Sequence, residues 1–334
     1  MKKEIIITSE IFPNYNGHLL GVAKIGFDSE YSKLYKKTIL RDDLEFLTQN
    51  KNLIKWGDGF LGKFTIIFVF FPNYINLENK SEISKYFQLL NESIEQKSFK
   101  KFNEHYKIYL NNLKDWTGYK LKPDLFDYKY EIRRISDIYL NNYDTFISDV
   151  WQIEKEKVEN KVQILNEQLS KYDFIQLWEK FTGIEFKYPF YKIILGTGIK
   201  NGSTANSLGY EKNWFYYGSD IDWFIQFICH ETGTHILFDL LLTNIKKFKG
   251  KDNPLTEEFT IYYKGFENLC SFYNQIILAK IGIKYNYKMP DYNSNNFFNI
   301  FSSIYHSNLN ISAKELYHKG INEYKIKVCS QMKV

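Results

Sequence analysis

Hydrophobic and polar positions along this 334-residue chain follow two different periods, and the switches between them predict its elements. A β-branched run at Glu4–Thr8 and the apolar run Phe64–Phe71, bounded by Gly62 and Pro72, read as strands. Between them, Asp42–Thr48 reads as a short helix with Asp42 or Asp43 as N-cap. From Ser81 to Leu113 the pattern is helical, with Ile83, Tyr86, Phe87, Leu90 and Ile94 recurring on one face. Pro123, in a Lys-Leu-Lys-Pro-Asp loop, marks a boundary. Residues 1–123 therefore form an N-terminal mixed α/β region, and residues 124–334 a second, mostly helical domain.

That second domain opens with a long charged helical stretch, Asp144–Thr182, whose apolar positions loosely keep a 3.6-residue period; Gly183 stands at its C′ position. Lys192–Leu195 and Asn213–Tyr217 read as two strands of a small sheet, joined by the Gly- and Ser-rich segment Gly196–Gly209. Ser219 or Asp220 caps a helix that runs to about Leu242, with Asp222 in its first turn. Lys246–Asp252 is a polar linker, and Pro254 suits the first position of a helix over Leu255–Ile281, interrupted at Gly265. Tyr285–Phe297 reads as loop, Phe298–Ile304 as an apolar run, and Ser312-Ala-Lys-Glu315 as a capping box opening a final helix. The expected fold class is α+β, with a small sheet preceding the Asp222 helix.

Composition narrows the function classes. Hydrophobic residues at 44% and charged residues at 25% fit a globular protein. The 27 Tyr and 28 Phe accompany abundant Lys, Asn and Ile, a mix that codon bias toward A and T produces, so interleaved Lys and Tyr are no sign of nucleic-acid binding. A net charge of +5 with no long basic run also argues against a nucleic-acid partner. Three cysteines without C-x-x-C spacing suit a reducing compartment. The start of the chain lacks a signal-peptide pattern, and its most apolar run is far too short to span a bilayer. A soluble, cytoplasmic protein with no membrane partner is the expectation. Gly196-Thr-Gly198 lacks the third glycine of a dinucleotide fingerprint because Asn201 stands at that place, and no Gly-Lys-Ser/Thr follows. His18, beside Gly17, reads as a turn residue, and His105 as solvent-facing.

The chemistry concentrates in Cys229-His-Glu-Thr-Gly-Thr-His235, within an otherwise apolar helix. Two histidines and a carboxylate in an apolar wall are costly unless something binds them, and a divalent metal is the natural occupant. His230 and His235 stand five residues apart, about 140° round a regular α-helix, and cannot both face one ion. Widening the turn by one residue, as a π-bulge does, restores a common face, and Gly233 lies where that turn must open. Glu231 then stands where it can take a proton from a metal-bound water.

This H-E-x-x-x-H arrangement resembles the zinc motif of the dipeptidyl peptidase III family, a variant of the gluzincin metallopeptidases. Thr234 stands where the family usually has Gly, which here is one position earlier, at Gly233. The resemblance implies a zincin-like catalytic region holding Zn2+ by His230, His235 and a glutamate from the following helix, with Glu231 as general base. Glu257, Glu258 and Glu267 are the candidates for that glutamate. Glu267 is preferred, because gluzincins place a small residue one turn after the ligand and Cys270 occupies that place. Asp239, Ser271 and Asn274 are available as acceptors behind the ligands. The resemblance also implies a downstream Tyr or His stabilising the oxyanion, and Tyr305 and His306 stand there, with Tyr317 and His318 behind them. The expected function is zinc-dependent hydrolysis of peptide bonds in a peptide or protein substrate. The competing expectations are a catalytically inactive zincin-like binding or regulatory protein, and a non-peptidase metalloenzyme such as a non-haem iron enzyme, since two His and one carboxylate also suit Fe(II).

Overall fold

A computed structural model describes residues 2–26, 30–57, 60–200, 205–245, 257–285 and 295–331. The fold is α+β and mostly helical. Among the described residues, no helix is long and apolar enough to cross a membrane. The chain divides into two compact units, each discontinuous in sequence. One, here the motif unit, comprises Met1–Ile5, Glu167–Tyr191 and Ser219–Val334; the other, the N-terminal unit, comprises Ile6–Asn166 and Lys192–Gly218. The Pro123 segment lies inside the N-terminal unit, where Pro123–Tyr128 forms a 3-10 helix.

A four-stranded sheet comprises β1 (Glu4–Thr8), β2 (Phe190–Gly196), β3 (Ala205–Gly209) and β4 (Lys212–Tyr216), in order β1-β2-β4-β3, and Trp56–Gly57 pairs antiparallel with Phe60–Leu61 in a separate two-stranded ribbon. β2 and β4 pair in parallel, Lys192 opposite Lys212 through Gly196 opposite Tyr216. The intervening segment, read from sequence as an irregular connection, supplies β3 antiparallel to β4. Lys212 is buried and donates to Glu10 Oε2 at 2.9 Å and to the Tyr74 carbonyl at 3.0 Å.

Helix Ile11–Val22 is buried on every side from Phe12 onward, and so shows no amphipathic stripe in sequence. Its polar residues are satisfied by distant backbone. Asn14 Nδ2 donates to the Leu195 carbonyl at 3.0 Å, and Asn16 Nδ2 to the Phe68 carbonyl at 3.1 Å. Close approach is possible because the helix carries glycines: a Cβ on Gly21 would lie 2.3 Å from the Gly198 carbonyl oxygen. His18 is therefore not a turn residue. It sits fully buried on this helix, between Tyr31 Oη and Thr38 Oγ1, each 3.1 Å from a ring nitrogen.

Phe64–Phe71 is not a strand either. Ile66–Phe70 is a π-helix that continues into the α-helix Phe71–Ile75. A short, wholly apolar run satisfies a buried helix as well as a buried strand, so periodicity cannot separate them. Pro72 explains the widened turn. It has no N–H to give to Phe68 four residues back or to Ile67 five back. Side chains replace it: Tyr86 Oη donates to the Ile67 carbonyl at 2.6 Å, and Tyr139 Oη to the Phe68 carbonyl at 3.0 Å, beside Asn16.

The motif unit consists chiefly of helices Phe174–Thr182, Ile221–Ile245, Glu257–Lys280, Asn295–Ser307 and Ala313–Gln331. Asp173 caps the first through Gln176 N at 3.0 Å, and Gly183 ends it in the left-handed region at φ 70°. Asp220 Oδ1 accepts from Trp223 N at 2.8 Å, and Ser312 Oγ from Glu315 N at 3.2 Å, as the capping signals predict. Helix Glu257–Lys280 is continuous through Gly265, contrary to the interruption expected there. A Cβ at Gly265 would lie 2.3 Å from Ile321 Cδ1, so this glycine serves close helix packing rather than a break. Pro254 and the whole of the linker lie outside the described residues.

Candidate metal centre

The motif helix, Ile221–Ile245, buries Phe224, Phe227, Ile228, Cys229, Leu237 and Leu241, residues that together face all round it. Such a helix must be surrounded by protein, and His230 and His235 are buried with it. It packs along the ligand helix, Glu257–Lys280, which buries Phe266, Leu269, Cys270, Tyr273 and Ile277.

Where the two helices meet, His230 Nε2 stands 3.4 Å from Glu267 Oε2. The histidine side chain is 1% exposed and the glutamate 13%. A charge-assisted N–H···O bond is shorter, about 2.7–2.9 Å. Two donors bound to one tetrahedral zinc at about 2.05 Å each stand about 3.3 Å apart. Imidazole nitrogen and carboxylate oxygen are donor types that zinc accepts, but two of them fall short of the three protein ligands of a catalytic site. Cys270, one turn after Glu267, is fully buried. Burial pushes its thiol pKa well above the ordinary value, and the charges of Glu267 and Glu231 push it further in the same direction. Both carboxylates therefore act on the same buried spot. Glu231 is half-buried, and Thr234 Oγ1 lies 3.4 Å from its Oε2.

His235 does not join them. The motif helix is α-helical throughout, with no widened turn at Gly233, which corrects the expectation from spacing. The five-residue step therefore leaves His235 about 140° away from His230. Its imidazole lies against the Tyr191 ring, centroids 4.7 Å apart. Among the described residues, no three His, Cys, Asp or Glu side chains are placed to hold one ion. Glu257 and Glu258 open the ligand helix, but their side chains lie outside the described residues.

The remaining candidates divide. Asp239 pairs with Lys187, and Asn274 Nδ2 donates to the Gln226 carbonyl at 3.3 Å, tying the two helices together. Tyr305 packs its ring on Phe272 and Tyr273, both on the ligand helix. His306 is exposed and turns its Nδ1 back to the Ser302 carbonyl at 2.7 Å, so it is held on its own helix rather than in a buried centre. Tyr317 donates to the Tyr262 carbonyl at 2.8 Å and is structural.

Sequence reasoning missed Trp178. Its indole Nε1 donates to the Cys229 carbonyl at 2.7 Å, and its ring fills the space over Gly233, where a Cβ would lie 2.1 Å from it. The glycine inside an apolar helix was the only sign that something large approaches there.

Comparison with known proteins gives no match to a family model, to a curated protein or to a solved structure.

Proposed function

We propose that this chain is a zinc-dependent hydrolase of peptide bonds, acting on a peptide or protein substrate in a reducing compartment such as the cytoplasm. The observation that carries the reading is the 3.4 Å approach of His230 Nε2 and Glu267 Oε2 inside a helix pair. A buried imidazole and carboxylate at that separation are the donors a catalytic zinc uses. His230 and Glu267 would hold the ion; His235, turned about 140° away round the regular helix, is not placed to join them. When bound, zinc supplies Lewis acidity toward a carbonyl and makes a water molecule acidic near neutral pH.

The chain's own groups do the rest. Glu231 takes the proton of the attacking water on a carboxylate oxygen and delivers it to the departing amine nitrogen. Thr234 Oγ1, 3.4 Å from Glu231 Oε2, restrains that carboxylate near the ligands. Tyr305, on the face of helix Asn295–Ser307 that packs against the ligand helix, is the better placed of the two downstream oxyanion candidates.

The regular helix that holds His235 apart favours a second reading, a zincin-like module that binds rather than cleaves. Zinc analysis of the purified protein beside peptide-library cleavage by wild type and Glu231→Gln decides between them. The hydrolase retains about one zinc per chain in both proteins and loses cleavage in the variant. Zinc without cleavage in wild type selects the binding module, and metal-free protein of normal stability overturns both.

A further inference from the structure

Helix Lys107–Thr117 of the N-terminal unit carries two stripes side by side. Lys107, Asn111 and Lys114, at i, i+4 and i+7, form one, and Leu110, Leu113 and Thr117, at i, i+3 and i+7, form the other. The helix stops at Gly118, whose φ of 72° lies in the left-handed region and whose amide donates to the Lys114 carbonyl at 2.7 Å. The chain then returns along the helix before Pro123 opens the 3-10 helix, so that Tyr119, Lys120 and Leu121 line two clefts together with residues of the helix.

The two clefts differ in chemistry. The larger, about 720 Å³, is walled by Leu113 and Trp116 of the helix, Phe70 of the π-helix, Leu121, Leu208 of β3 and Leu61. A volume of this size with an apolar and aromatic wall is what a small organic ligand is buried in. Leu61 is 54% exposed although it lines the cleft, so its apolar surface stays wet until something covers it. The smaller cleft, about 360 Å³, is lined by Lys107, Lys114 and Lys120 together with Asn103 and Asn111. No Asp or Glu lines either cleft, and these three lysines make no ion pair among the described residues. Tyr119, Lys120 and Leu121 line both, so the apolar cleft adjoins the basic one across that segment. An apolar wall continuing into uncompensated positive charge is complementary to a molecule with an apolar body and a negative end.

We propose that the paired clefts bind a single-chain amphiphile with an anionic head, a fatty carboxylate or an alkyl phosphate. The chain lies against Phe70, Leu113 and Trp116, and the head sits among Lys107, Lys114 and Lys120, with the Asn103 and Asn111 amides as further donors. An ammonium is a point charge that does not demand a planar partner, so carboxylate and phosphate suit the same lysines. Exposed lysines are screened by water and salt and hold an anion weakly by themselves. The apolar cleft therefore carries the affinity, and the lysines fix which end of the ligand lies where. Every residue involved belongs to the N-terminal unit, so the site stands whether or not the motif unit holds zinc.

Titration calorimetry of the full-length chain with octanoate, decanoate, decyl phosphate and neutral decanol, each kept monomeric, tests this. Wild type binds one decanoate per chain, tighter than octanoate by about fourfold for each added methylene. Decyl phosphate competes with decanoate for the same site, and the tighter of the two identifies the preferred head. The triple variant Lys107→Gln, Lys114→Gln, Lys120→Gln changes only exposed side chains and keeps its melting temperature. It binds decanoate about tenfold more weakly while its affinity for decanol is unchanged. Leu61→Gln weakens decanoate and decanol alike. No binding, affinity that does not grow with chain length, or many molecules per chain in the manner of a detergent overturns the proposal. Decanoate bound as tightly by the triple variant as by wild type also overturns it. Binding to phosphatidylglycerol vesicles with no one-to-one binding of any monomer overturns it in favour of a membrane-facing surface. Should the triple variant fail to fold, the chain-length series and Leu61→Gln decide: affinity unchanged in both overturns the site.

Discussion

Acid should destabilise the N-terminal unit through His18. Its imidazole is fully buried, with Tyr31, Tyr35 and Phe146 rings around it. Thr38 Oγ1 donates to the Tyr35 carbonyl at 2.7 Å, so its oxygen is left to accept from His18 Nε2–H, and Tyr31 Oη donates to Nδ1. That fixes a neutral tautomer. Glu154, a carboxylate near this cluster, is held by Tyr35 Oη at 2.5 Å and by Lys157 at 3.1 Å. Burial lowers the His18 pKa from 6.5 to about 3. Between those values the unfolded chain binds a proton that the folded chain refuses, so stability rises with pH. The His18 contribution is complete above 6.5 and drains away as pH falls toward 3. From pH 7 to pH 4 the loss is about 3 kcal/mol, at about 1.36 kcal/mol per unit of pKa difference. Urea unfolding at pH 7, 6, 5 and 4 measures it, with His18→Gln as the partner series. Glutamine can still donate and accept but does not titrate, so its stability should fall by about 3 kcal/mol less over the same interval. Parallel pH profiles for the two proteins, or a His18 imidazole that titrates near 6.5 in the folded state by NMR, would refute the reasoning.

Three further outcomes follow from the geometry. Glu231→Gln should keep its zinc and its melting temperature while losing about 10²–10⁴ in peptide hydrolysis, the usual contribution of a general base; the paired assay is metal analysis with single-substrate kinetics. Gly233→Ala should destabilise the chain by about 1–3 kcal/mol through overpacking against Trp178, despite the better helix propensity of alanine, and thermal unfolding reads it. Tyr86→Phe should cost about 1–3 kcal/mol in denaturant unfolding, because it leaves the Ile67 carbonyl buried without its side-chain donor.

Local signals were the legible ones. Asp220, Ser312 and Gly183 mark helix ends through bonds to their own backbone neighbourhood, and the structure has each of them in that role. His230 and Glu267, singled out together in sequence, do stand 3.4 Å apart, although the widened turn expected between His230 and His235 is absent. What remained hidden depends on partners far along the chain. Helix Ile11–Val22 buries Asn14 and Asn16, and the carbonyls that satisfy them belong to Leu195 and Phe68. Without those partners in view, an Asn-rich, Gly-rich segment looks like turn, and His18 with it. Phe64–Phe71 was misread for the opposite reason. Pro72 stands as a terminator in sequence, yet the helix runs on through it because Tyr86 and Tyr139 donate to the Ile67 and Phe68 carbonyls.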